Sequence, residues 1–100
     1  MSKATILVVE DDPSVQNLIT TALKMYGYDS VTAGNGQTAV MQAATRSPDV
    51  IFLDLGLPDM DGVEVIRKVR TWSALPIIVI SARSEETDKI EALDAGADDY

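Results

Sequence analysis

Three short stretches of this chain are apolar at every position: Ile6-Leu7-Val8-Val9, Val50-Ile51-Phe52-Leu53 and Ile77-Ile78-Val79-Ile80. A strand with one wet face alternates apolar and polar side chains. An unbroken run of this length, rich in β-branched residues, is a strand that needs cover on both faces. The segments between these runs must supply that cover.

They carry helical spacing. Asp12-Pro13 is a helix start, with Asp able to cap free amides and Pro suited to the first helical position. Val15, Leu18, Ile19, Ala22 and Leu23 then form one apolar face, and Gly27 ends the helix. Tyr28 to Ala33 alternates weakly and predicts a second strand. Asn35-Gly36 turns into an Ala-rich helix carrying Ala39, Val40, Ala43 and Ala44, stopped at Pro48. Val50 to Leu55 is the third strand, and residues 56–62 form a loop with two turn signals. Val63 to Trp72 predicts a helix with Val65, Ile66 and Val69 inward. Pro76 precedes a fourth strand, Ile77 to Ser81. Ser84 can cap the next helix, Glu85 and Glu86 suit its positive end, and Gly96 stops it after Ala95.

The 100 residues allow one domain and one core. Strict alternation of strand and helix gives an α/β fold: a doubly wound parallel sheet with helices on both faces. Right-handed crossovers restrict the winding. If the order is 2-1-3-4, the winding direction switches between strands one and three, and ligands bind in the crevice beyond the carboxyl ends of those strands.

Those two strands end in acid: Glu10-Asp11-Asp12 after the first and Asp54 at the end of the third. Ionised carboxylates are costly beside apolar neighbours, so they belong where the strands emerge, and the two ends suggest one acidic pocket. Such a cluster repels itself, and a divalent cation reverses the penalty. Oxygen donors without nitrogen or sulfur point to magnesium or calcium. Magnesium needs only one or two carboxylates and keeps waters or phosphate oxygens. It could clamp a phosphoryl group on its way to Asp54, since carboxylates form acyl phosphates.

Composition narrows the alternatives. The net charge of −8 argues against direct nucleic-acid binding by this segment. Cys and His are both absent, which removes disulfides, thiolate metal sites and imidazole chemistry. No apolar stretch approaches a membrane span, so no membrane insertion is expected. Met1-Ser2-Lys3 runs straight into a strand without a secretory apolar region, so a cytoplasmic protein is expected. Plainer roles exist for each acid. Asp12 is a helix cap. Glu10, Asp11 and Asp54 have the alternative of solvated strand ends. Asp59 and Asp61 read as turn residues. A calcium loop at Asp61-Gly62 is excluded, because Leu57 and Lys68 stand where it needs Asp and Glu. Ser81 is at least a polar strand end, and Asp94, Asp98 and Asp99 read as solvated surface.

Several features together resemble a response-regulator receiver domain: Glu10-Asp11-Asp12, Asp54, Leu57-Pro58-Asp59-Met60-Asp61-Gly62, Ser81-Ala82 and Gly96-Ala97-Asp98-Asp99-Tyr100. They cover nearly the whole chain. Within the family it is similar to the OmpR/PhoB subfamily. Leu55-Gly56-Leu57-Pro58, Ser73-Ala74-Leu75-Pro76 and Ser81-Ala82-Arg83-Ser84-Glu85-Glu86 make it look like the KdpE type, the regulators of potassium transport. The resemblance implies a flavodoxin-like (CheY-like) sheet of order 2-1-3-4-5, an order known for such folds rather than derived from this chain. It implies that Asp54 accepts a phosphoryl group from a sensor histidine kinase or a small phosphodonor. Asp11 would bind Mg2+, Glu10 would assist directly or through water, and the Gly56 carbonyl would be a further ligand. Ser81 would hydrogen-bond the phosphoryl oxygen, and Tyr100 would be the ring that turns inward when it does. The intact protein would dimerise when phosphorylated and meet DNA only through a separate output domain.

Receivers also carry a lysine followed by proline at the end of strand five. Residues 1–100 stop short of that point, so strand five and helix five are expected to be missing and the domain C-terminally incomplete. Three expectations follow: weakened phosphoryl stabilisation, an exposed apolar edge at strand four, and no usual dimer face. Two other functions compete. An aspartyl phosphatase of the haloacid dehalogenase type carries a second Asp two residues after the nucleophile, and here that position is Gly56. A passive interaction module would leave the acidic cluster without a task.

Overall fold

The computed structural model describes residues 3–80 and 86–100. Strands and helices alternate: β1 Thr5–Val9, α1 Pro13–Met25, β2 Asp29–Ala33, α2 Gly36–Thr45, β3 Val50–Leu53, α3 Gly62–Arg70, β4 Ile77–Val79 and α4 Glu86–Ala95. The sheet is parallel with order β2-β1-β3-β4. Val9 lies level with Ala33 on one side and Leu53 on the other, so all three strands deliver their next residues to one rim.

The strand pleat sorts the apolar runs onto two faces. Leu7, Val9, Ile51, Leu53, Ile77 and Val79 point into the main core, with Ala39 and Ala43 of α2, Val63, Val65, Ile66 and Val69 of α3, and Ala92 of α4. Ile6 and Val8 point the other way, onto Leu23 and Ile19 of α1, with Val50 and Phe52 beside them. The runs are apolar throughout because both faces of β1 and β3 are covered.

The expected inward face of α1 is only partly buried. Leu23 is buried and Ile19 packs on the sheet, but Val15, Leu18 and Ala22 are exposed, Leu18 to 71 %. Among the described residues only the part of the stripe at Ile19 and Leu23 has the sheet beneath it. Ala44 of α2 is likewise exposed.

Termination follows local chemistry. Asp12 caps α1 through Ser14 N, with Pro13 opening the helix. Gly27 (φ 86°) and Gly96 (φ 117°) take the left-handed backbone that follows α1 and α4. The edge expected to be bare at β4 is covered along part of its length. Asp98 N donates to Ile77 O at 2.9 Å, and Val79 N donates to Asp99 O at 3.0 Å. The chain leaving α4 therefore already runs parallel to β4, pairing Asp99 with Ile78.

Asp98 is more than the solvated acid expected. Its Oδ2 accepts from Ile77 N at 2.8 Å and from Arg70 Nη2 at 2.9 Å. Arg70 also donates to the carbonyls of Gly96, Ser73 and Leu75, so one guanidinium joins the end of α3 to both segments flanking β4 and α4.

Candidate functional site

Glu10 and Asp54 are the first residues past neighbouring strands, and backbone pairing sets them side by side. Glu10 N donates to Ala33 O at 3.0 Å and Asp54 N donates to Val9 O at 2.9 Å, extending the ladder to the rim. One carboxylate oxygen from each of Glu10, Asp11 and Asp54 lies within 4.8 Å of the others. Glu10 is buried, Asp54 half-buried and Asp11 exposed, so the cluster grades from the sheet end to water.

The backbone neighbourhood fixes these groups. Glu10 Oε1 accepts from Asp12 N at 3.1 Å, and Gln16 of α1 donates its amide to the Glu10 carbonyl. Asp54 Oδ1 accepts from Gly56 N at 3.2 Å. Burial pushes the Glu10 carboxyl from 4.5 up to about 7, despite the stabilising amide of Asp12. The charge of Asp54, and hydrogen bonds from protonated Glu10 to Asp54 and Asp11, push the same way. The pocket is therefore a place where negative charge is under-compensated, and it favours either a proton or a cation.

The donor set fits a hard divalent ion. Two oxygens sharing one magnesium sit at most roughly 4.2 Å apart, given metal–oxygen distances near 2.1 Å. The observed limit of 4.8 Å is close to that, and all donors are oxygen.

The loop after Asp54 is a closed unit. Gly62 N donates to Leu55 O at 2.8 Å, Leu57 N donates to Leu55 O at 3.1 Å, and Gly56 and Asp61 form an antiparallel bridge. Gly56 is exposed on it, beside the Asp54 carboxylate. Gly62 must be glycine, since a Cβ there would stand 2.6 Å from Leu55 Cα and 2.8 Å from the Asp54 carbonyl oxygen. Tyr100 is half-buried and packs against the main core. Ser81 lies outside the described residues, as does the expected helix cap Ser84.

Two acids read as turn residues do more. Asp61 caps α3, its Oδ1 accepting from Val63 N at 3.0 Å. The spacing Asp61-Gly62-Val63-Glu64 is that of a capping box and could have signalled it. Asp59 caps α2 from a distance: its Oδ1 accepts from Gly36 N at 2.7 Å and its Oδ2 from Gln37 N at 3.0 Å. Those two amides hold the Asp59 carboxyl below its ordinary value of 3.8. No local pattern could have revealed this bond, because 22 to 23 residues separate the partners.

The sequence pattern of the response regulator receiver domain family matches residues 6–100. The chain belongs to that family. It is 57% identical over 95 residues to the KDP operon transcriptional regulatory protein KdpE of Escherichia coli K12, covering 95% of this chain and 42% of that protein. It is 47% identical over 98 residues to the transcriptional regulatory protein KdpE of Staphylococcus aureus, covering 98% of this chain and 42% of that one. The chain thus spans about two fifths of the length of these curated relatives. Among solved structures, a Francisella response regulator 1452 receiver domain superposes with TM-score 0.91 at 32% identity, over 98% of this chain and 82% of that one. The BeF3-activated N-terminal receiver domain of Klebsiella pneumoniae RstA gives TM-score 0.92 at 34% identity, over 96% and 82%. A further relative, 44% identical over 96 residues, is the alkaline phosphatase synthesis transcriptional regulatory protein PhoP of Bacillus subtilis, covering 95% of this chain and 40% of that one. This chain is accordingly a two-component receiver domain, whose relatives are named as transcriptional regulators. No helix among the described residues is long and apolar enough to cross a membrane.

Proposed function

We propose that Asp54 is the phosphoacceptor of a magnesium-dependent switch, and that Glu10, Asp11, Asp54 and the Gly56 carbonyl hold the ion. The observation that carries this reading is the convergence of Glu10, Asp11 and Asp54 oxygens within 4.8 Å at the ends of β1 and β3. Bound there, Mg2+ would neutralise the cluster and polarise the phosphoryl group. The chain's own part is positional. Asp54, held by Val9 O and Gly56 N, presents an oxygen to the donor's phosphorus. A phosphorus–oxygen bond forms, the donor's phosphorus–nitrogen or phosphorus–oxygen bond breaks, and the leaving group departs with its electron pair and takes a proton. Ser81 would then donate to a phosphoryl oxygen, and Tyr100 would report that event by moving inward. A structural relative described as BeF3-activated supports a pocket of this shape accepting a phosphoryl-like group.

The donor we infer is a sensor histidine kinase, in the cytoplasm. The output would be transcriptional, through homodimerisation of a longer protein and a separate DNA-binding domain, since a chain of net charge −8 is ill suited to DNA itself. The chain turns over no free metabolite and in that sense is not an enzyme. Incubation with acetyl phosphate and Mg2+ tests the reading. Hydroxylamine-labile phosphate, absent from Asp54→Asn, is expected. Phosphate retained in that variant, or none in a full-length version of the wild type, would reject it.

A further inference from the structure

We propose that Asp59 is a positioning residue for the acidic pocket: by gripping the first two amides of α2, it holds the loop that carries Gly56 in the placement a cation requires. This rests on the reading that the pocket takes Mg2+. The loop's internal bonds, Gly62 N to Leu55 O and the Gly56–Asp61 bridge, fix its shape. They do not fix how its tip sits against the neighbouring helix. The bonds from Gly36 N and Gln37 N to the two Asp59 oxygens do, across 23 and 22 residues of sequence. Met60 reinforces the join. It packs so close on Gly36 that a Cβ there would stand 2.7 Å from its Sδ.

The grip is not needed to start α2. Asn35 already serves that helix, accepting from Thr38 N at 2.8 Å through its side chain and from Ala39 N at 3.0 Å through its carbonyl. Asp59 thus takes the two amides that Asn35 leaves over, and does so from the loop on which Gly56 sits. Groups that orient a metal ligand from outside the coordination sphere act through such preorganisation.

Paired substitutions in the full chain separate positioning from mere helix capping. Isotope-labelled wild type, Asp59→Ala, Asp59→Asn and Asn35→Ala are titrated with Mg2+ alone, following backbone amide shifts of Glu10, Asp11, Asp54 and Gly56. Asp59→Ala is expected to raise the titration midpoint about tenfold, the lower end for outer-shell partners. Asp59→Asn, which keeps one acceptor oxygen, falls between, and Asn35→Ala leaves the midpoint unchanged although it too removes a cap from α2. In the metal-free protein, Asp59→Ala speeds amide exchange at Gly36 and Gln37, whereas Asn35→Ala speeds it at Thr38. An Asp59→Ala midpoint equal to that of the wild type overturns the inference alone, as does an equal weakening by Asn35→Ala. If Asp59→Ala does not fold, Asp59→Asn decides by the same comparison. A wild type with no saturable shifts overturns the magnesium reading, and this inference with it.

Discussion

Replacing Glu10 by Gln isolates the electrostatic cost of the pocket. The Glu10 carboxyl is raised from 4.5 to about 7, chiefly by burial and then by Asp54. The native state therefore holds a proton that the unfolded chain releases, and the stability contributed by this group falls as pH rises from 4.5 to about 7. Below that window both states are protonated and nothing is lost; above it the full penalty applies. Each pKa unit is worth about 1.4 kcal/mol, so the whole displacement corresponds to roughly 3 kcal/mol. Asp11 is exposed at the pocket mouth. Water and salt reach the cluster there and reduce the expected cost to about 1–2 kcal/mol. Gln keeps a carbonyl oxygen for Asp12 N, so that bond survives the change. Urea unfolding with chelator present should find Glu10→Gln more stable than wild type by about 1–2 kcal/mol at pH 8 and equal to it near pH 4.5. Added Mg2+ should stabilise the wild type and narrow the gap, because an ion that binds only the native state shifts the equilibrium toward it. Equal stability at pH 8, or the same pH slope in both proteins, would refute the reasoning.

Three further outcomes test the frame around the site. Gly62→Ala forces a Cβ against the backbone of Asp54 and Leu55, and should cost about 1–3 kcal/mol by denaturant unfolding while shifting the Asp54 amide resonance. Arg70→Ala strips charged donors from three carbonyls and Asp98, and should cost about 2–3 kcal/mol with faster amide exchange at Val79 and Asp98. Asp12→Ala removes the cap on Ser14 N and should cost about 1 kcal/mol; no measurable loss would show that Pro13 alone suffices to start α1.

The parts legible in sequence are those governed by local rules. β1 and β3 announce themselves because an unbroken apolar run has no wet face to supply polar residues, and β4 carries the same signal although Ile80, next after it, is exposed. The carboxylates of Glu10, Asp11 and Asp54 could be placed together because the ends of covered strands are the affordable places for charge. Val15 and Leu18 misled because periodicity shows which residues share an apolar face, not whether anything packs on it. Asp59 and Asp98 escaped for another reason. Each accepts from amides far along the chain, at Gly36, Gln37 and Ile77, and such partnerships leave no mark in neighbouring residues. The edge of β4 was expected to be bare because the sequence places the start of a fifth strand at Tyr100, whereas the backbone of Asp98 and Asp99 pairs with β4 before that point.

Paramagnetic Mn2+ in place of magnesium locates the ion directly. At substoichiometric addition, amide signals of Glu10, Asp11, Asp54 and Gly56 should broaden first, and excess Mg2+ should restore them. Broadening centred on the acids of α4, or spread evenly over the surface, would contradict the existence of a single carboxylate pocket spanning β1 and β3.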